Sequence, residues 1–131
     1  MDPVSRSKKK KILIVDDESP IAELIADICN QFGFETKVLV SGENVMDVAK
    51  SYGPDLLTLD LLMPDKSGLE ILAELKEDEK TKLIPVIIIS AIAGSVSFEG
   101  IIEQSQGILS KPFQVPRLKQ VIETALSHSH N

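Results

Sequence analysis

The sequence predicts a parallel α/β sheet wound on both faces, and two observations lead there. Short apolar runs without polar alternation, Ile12 to Val15, Leu56 to Leu59 (with Thr58 inside it) and Val86 to Ile89, suit strands covered on both sides. Between the runs lie segments whose apolar residues recur at three- and four-residue spacing, punctuated by glycine and proline. Five strand-like and five helix-like segments alternate along 131 residues, which fits one domain with a βα repeat.

The first strand, Lys11 to Val15, runs directly into Asp16-Asp17. Ser19 is expected to cap the first helix, with Pro20 at its first position and Gly33 at its end. Ile21, Leu24, Ile25, Ile28 and Phe32 are its expected apolar stripe, and Cys29 beside them reads as a small buried residue. Glu35 to Val40 forms a second strand. Ser41-Gly42-Glu43 is expected to open a second helix bearing Val45, Met46, Val48 and Ala49, closed by Tyr52-Gly53-Pro54. Asp55 to Asp60 holds the third strand, followed by the turn-rich Met63 to Gly68 and a third helix from about Leu69 carrying Ile71, Leu72 and Leu75. Lys76 to Lys82 reads as a solvated charged stretch. Pro85 leads into the fourth strand, which ends at Ser90. A fourth helix is expected between Ala91 and Gly107, where glycines and serines weaken the signal. Ile108 to Lys111 is a short fifth strand, and Val115 to Ser127 a last helix with Leu118, Val121, Ile122, Ala125 and Leu126 on one side. The expected organisation is a basic, flexible arm at 1–10, the folded domain at 11–127, and a polar tail at 128–131.

Composition removes several function classes. Hydrophobic residues are 43% and charged residues 26%, as in ordinary globular proteins, and no apolar run approaches the roughly 20 residues that span a bilayer. The basic N-terminus has no apolar core of a secretory signal, and the single cysteine forms no internal disulfide, so a cytoplasmic setting is expected. Residues 1–11 hold five basic side chains and one acid, so residues 12–131 carry nine basic and nineteen acidic groups, a net charge of −10. A body this acidic opposes direct nucleic-acid binding, which depends on neutralising phosphate. The lysine run reads as a solvated tail rather than a nucleic-acid or membrane arm.

Ligands of open parallel sheets bind at the carboxyl ends of the strands. Here strand one ends at Asp16-Asp17, strand three at Asp60, strand four at Ser90 and strand five at Lys111. Three close carboxylates repel one another, and a hard divalent cation, magnesium or manganese, relieves that repulsion. Asp60 can then act as a carboxylate nucleophile toward a phosphoryl group, while Lys111 and the Ser90 hydroxyl meet the charge on the phosphoryl oxygens.

Over roughly Lys11 to Leu126 the sequence resembles the receiver domain of bacterial two-component response regulators. The resemblance rests on Val15-Asp16-Asp17-Glu18, on Asp60-Leu61-Leu62-Met63-Pro64 followed by Gly68, on Ser90-Ala91 and on Lys111-Pro112-Phe113. The spacings are 43 residues from Asp17 to Asp60, 30 from Asp60 to Ser90 and 21 from Ser90 to Lys111. It implies a flavodoxin-like sheet in the order 2-1-3-4-5. It implies Asp60 as phosphoacceptor, Asp17 as direct metal ligand, Asp16 as a ligand acting mainly through water, and the Leu62 carbonyl as a further ligand. It implies Ser90 as the switch hydroxyl, Lys111 as its companion cation, and a cis bond before Pro112. The implied partners are a histidine kinase or histidine phosphotransfer protein and an output protein or domain of unspecified kind, with the chain a monomer or weak dimer. Such a protein catalyses only its own phosphorylation and dephosphorylation.

Three features depart from that pattern. Ile108 stands where an aromatic usually lies, three residues before the lysine. Leu62 and Ile92, two residues after Asp60 and Ser90, are apolar where polar residues orient hydrolytic water, so slow loss of the phosphoryl group is expected. The Gly/Ser-rich span from Ser90 to Lys111 is about one residue short of the commonest length. A pseudo-receiver, binding partners without phosphate, is the alternative reading, although no acid and no lysine is missing. A dehalogenase-like phosphatase needs an acid at Leu62, and a flavodoxin needs a phosphate loop where Asp16-Asp17-Glu18 stands.

Overall fold

The computed structural model describes residues 9–92 and 104–128. Five strands, β1 (Lys11–Val15), β2 (Glu35–Leu39), β3 (Leu56–Leu59), β4 (Val86–Ser90) and β5 (Gly107–Ser110), form one parallel sheet in the order β2-β1-β3-β4-β5. Helices α1 (Ser19–Gln31), α2 (Val45–Tyr52), α3 (Gly68–Glu77) and α4 (Val115–His128) lie within the described residues. The fold is thus the expected doubly wound one. The expected helix between Ala91 and Gly107 lies mostly outside the described residues, as do most of the N-terminal arm and the end of the tail.

Strand side chains alternate, and this divides each apolar run between two cores. Ile12, Ile14, Leu56, Ile87, Ile89 and Leu109 face α1 and α4. Leu13, Val15, Leu57, Leu59, Val86 and Ile88 face α2 and α3. Each fully buried Leu or Ile contributes about 1.5–3 kcal/mol. This double burial is why the strands read as unbroken hydrophobic runs.

Several boundaries differ from expectation. Ser19 is the first helical residue of α1, not its cap; Glu18 occupies the cap position, and its carbonyl accepts the N–H groups of Ile21 (3.0 Å) and Ala22 (2.9 Å). Leu24 is 48% exposed, because α1 turns Ala22, Ile25, Ala26, Ile28 and Cys29 inward instead. α2 starts at Val45 rather than near Ser41. The Asp65 carboxylate holds the Ser41 hydroxyl at 2.6 Å and the Gly42 N–H at 2.9 Å, keeping this segment a turn. β5 stops at Ser110, since Pro112 has no N–H to continue a ladder; Lys111 makes the last bond, to the Ser90 carbonyl at 3.1 Å.

Lys76 to Lys82 is not simply solvated. Thr81 is fully buried and donates to the Leu75 carbonyl at 2.7 Å, while Lys76 Nζ reaches the Ile84 carbonyl at 2.9 Å. Burial lowers the Lys76 pKa. These bonds join the end of α3 to the approach to β4.

Candidate functional site

Strand order reverses about β1: β2 lies on one side and β3 on the other, opening a crevice at their carboxyl ends. The backbone ladder continues one residue beyond each strand here. Asp16 N–H bonds the Leu39 carbonyl and Asp60 N–H bonds the Val15 carbonyl, both at 3.1 Å. The two aspartates are therefore set by the sheet rather than by mobile loops, and both are buried, at 1% and 3% exposure.

Lys111 enters this crevice from the end of β5. Its Nζ stands 2.7 Å from Asp16 Oδ2, 2.9 Å from Asp60 Oδ2 and 3.0 Å from Glu18 Oε1. The other oxygens of the two aspartates accept backbone donors: Asp60 Oδ1 from Leu62 N–H at 3.1 Å, and Asp16 Oδ1 from Glu18 N–H at 3.0 Å. Asp16 Oδ2 has no aligned hydrogen bond, only the ionic contact with Lys111. Oxygens of Asp16, Asp17 and Asp60 lie within 4.8 Å of one another.

The electrostatics are those of a site short of positive charge. Burial raises the Asp16 pKa, and the nearby Asp60 adds to that effect; Lys111 and the Glu18 N–H work against both. Burial would lower the Lys111 pKa, but its contacts with Asp16, Asp60 and Glu18 outweigh this and hold it above the ordinary lysine range. Lys111 stays charged, yet its one ammonium is set against four carboxylates in the crevice, three of them in direct contact with it. A buried, poorly bonded Asp16 oxygen beside two further acids is the all-oxygen donor set that a hard divalent cation takes.

The sequence profile of the response regulator receiver domain matches residues 12–123. The chain belongs to that family. The receiver is 36% identical over 118 residues to the polar-differentiation response regulator DivK of Brucella ovis, a match covering 89% of this chain and 96% of that protein. NtrX from Brucella abortus has a similar fold, with a TM-score of 0.83 and 30% identity over 94% of this chain and 28% of its own. The receiver domain of the sensor histidine kinase PA1611 from Pseudomonas aeruginosa PAO1 also has a TM-score of 0.83, at 20% identity, covering 92% of this chain and 99% of its own; its structure holds a magnesium ion coordinated in the active site cleft. That last likeness is one of fold.

The expected site residues can be located in this receiver. Asp16, Asp17, Asp60 and Lys111 come together at the crevice. Ser90 is fully buried at the end of β4, its Oγ 3.5 Å from the Ile92 N–H. The Leu62 side chain is 51% exposed, and Ile92 and Ile108 pack partly buried against the α2/α3 core. The Lys111-Pro112 bond is cis, as the resemblance implied.

Two residues outside the expected set shape the site. Glu18 is the third carboxylate on Lys111; it stands in the quoted Val15 to Glu18 motif, where sequence shows a third acid in a row without its partner. A Cβ on Gly68 would lie 2.2 Å from the Asp60 carbonyl oxygen and 2.7 Å from Leu61 Cα, so the start of α3 can approach the Asp60 backbone only because this residue is glycine. The Gly68 N–H in turn donates to the Leu61 carbonyl at 3.2 Å. Gly68 stands in the quoted motif, but sequence shows the glycine without what it touches.

Proposed function

We propose that this receiver accepts a phosphoryl group on Asp60 from a histidine kinase or histidine phosphotransfer protein and changes its binding to an output partner. The observation that carries this reading is the Lys111 ammonium within 3 Å of both the Asp60 and Asp16 carboxylates, at the edge where a parallel sheet binds its ligands. An Asp60 carboxylate oxygen forms the new bond to phosphorus. The bond from phosphorus to the donor histidine nitrogen breaks, and the departing imidazole keeps that electron pair. Lys111 follows the charge on the transferred oxygens, and the Ser90 hydroxyl supplies a neutral donor to them. Asp16, Asp17, Asp60 and the Leu62 carbonyl would hold magnesium or manganese, which when bound neutralises carboxylate and phosphoryl charge.

Leu62 and Ile92 offer no group to orient water toward the phosphoryl group, which supports slow self-hydrolysis. Replacing them together, Leu62→Asn with Ile92→Glu, is expected to speed phosphate loss about a hundredfold, the lower end of what a positioned acid or base contributes. An unchanged decay rate by mass spectrometry would count against this. The net charge of −10 over residues 12–131 supports a protein partner over direct nucleic-acid binding, and a cytoplasmic, monomeric or weakly dimeric state fits the same reading.

Intact mass after incubation with acetyl phosphate and magnesium tests the central claim, with Asp60→Ala beside the native chain. One added phosphoryl group that requires both the metal and Asp60 is the expected result. A folded protein that binds magnesium but gains no mass would instead identify a phosphate-independent interaction module.

A further inference from the structure

We propose that Glu18 is a positioning residue for Lys111, holding its ammonium at the rim of the crevice while Asp60 changes partners. This rests on the phosphoacceptor reading of Asp60. The Lys111 ammonium sits among three carboxylates at 2.7 to 3.0 Å, donating to Asp60 and Glu18 and making an ionic contact with Asp16. Two of these carboxylates belong to the acidic triad and are open to competition from a cation or a phosphoryl group. Glu18 lies outside the triad, so its hold on Lys111 persists when the others are engaged.

Its backbone is fixed from both sides. The Glu18 N–H is bound by Asp16 Oδ1, and its carbonyl accepts the first two bonds of α1. The side chain runs along a cavity of about 380 Å³ that Ile21, Leu24, Ala91, Pro112 and Phe113 line with Lys111. Among the described residues that line it, Lys111 has the one polar side chain facing the Glu18 carboxylate. The Glu18 side chain is 60% exposed, against 11% for Lys111, so the contact is partly screened and its effect is modest.

The test separates position from charge. Glu18→Gln and Glu18→Ala both remove the negative charge, but only glutamine keeps an acceptor for Nζ. Acetyl phosphate should phosphorylate the Ala variant about two- to fivefold more slowly than the Gln variant at saturating donor, the lower part of what one hydrogen bond contributes. In a Lys111→Ala background that ratio should collapse to one, because residues acting through a shared partner are not additive. Equal rates for the two variants with Lys111 present, or a ratio that survives its removal, would overturn the proposal. A second reading needs no phosphoryl transfer: the ¹⁵Nζ signal of Lys111 in magnesium-free protein should exchange with water faster in Glu18→Ala than in the native chain. An identical exchange rate would overturn the contact itself. If the native chain takes no phosphoryl group, the Asp60 reading fails and the Nζ signal alone decides the role of Glu18.

Discussion

At the residue scale, each group in the crevice is held by a group of another chemical kind. Lys111 is charged and largely buried because three carboxylates surround it, and Asp60 has one oxygen on that ammonium and the other on a backbone N–H. Gly68 has the least visible part: it permits contact by lacking atoms. Gly68→Ala would press a methyl group against the Asp60 carbonyl and Leu61 Cα, which are backbone atoms and cannot rotate away. We expect a loss of about 3 kcal/mol in urea denaturation, the upper end of what overpacking costs, with slower phosphorylation as the Asp60 loop shifts. A variant as stable as the native chain would show that the start of α3 can retreat freely.

At the element scale, α1 shows how helix and sheet select residues together. Its inward stripe is Ala22, Ile25, Ala26, Ile28 and Cys29, which mixes small and large apolar residues against the sheet. Cys29 is completely buried, which pushes its thiol from about 9 up to about 12. Below pH 9 both the folded and the unfolded chain keep the proton. Between about 9 and 12 only the unfolded chain releases it, so stability falls as pH rises, by about 1.4 kcal/mol per pH unit from this group. Cys29→Ala should cost stability at neutral pH by opening a cavity, yet decline less steeply above pH 9. Urea midpoints measured from pH 8 to 10.5 check this; parallel curves for the two proteins would contradict it.

At the scale of the whole molecule, the sheet concentrates unlike charge demands at one edge. Four carboxylates and one lysine meet there, so the fold holds electrostatic repulsion that a divalent cation relieves. A cation that binds only the folded chain adds about 2.7 kcal/mol at a hundredfold excess over its Kd. Magnesium titration should therefore raise the Tm by roughly 10 °C, and Asp17→Asn should remove most of the rise. Equal shifts for both proteins would place the ion elsewhere.

The sequence alone was sufficient for the five strands, their parallel winding and the identity of the charged edge. Those depend on local pattern: an unbroken apolar run can be buried on both faces only inside a layered sheet, and a polar residue at its end falls on the ligand side. The resemblance added strand order and the cis bond before Pro112, and both are present. What local pattern could not carry was contact between distant segments. The turn at Ser41-Gly42 is imposed by Asp65, 24 residues beyond Ser41, against a sequence that reads as a helix start. The role of Thr81 depends on the carbonyl of Leu75, and that of Gly68 on the backbone of Asp60. Glu18 meets Lys111 across 93 positions of chain. Tertiary structure decided these, because a carboxylate or a glycine acquires its effect from the atoms packed against it, and packing is a property of the assembled layers.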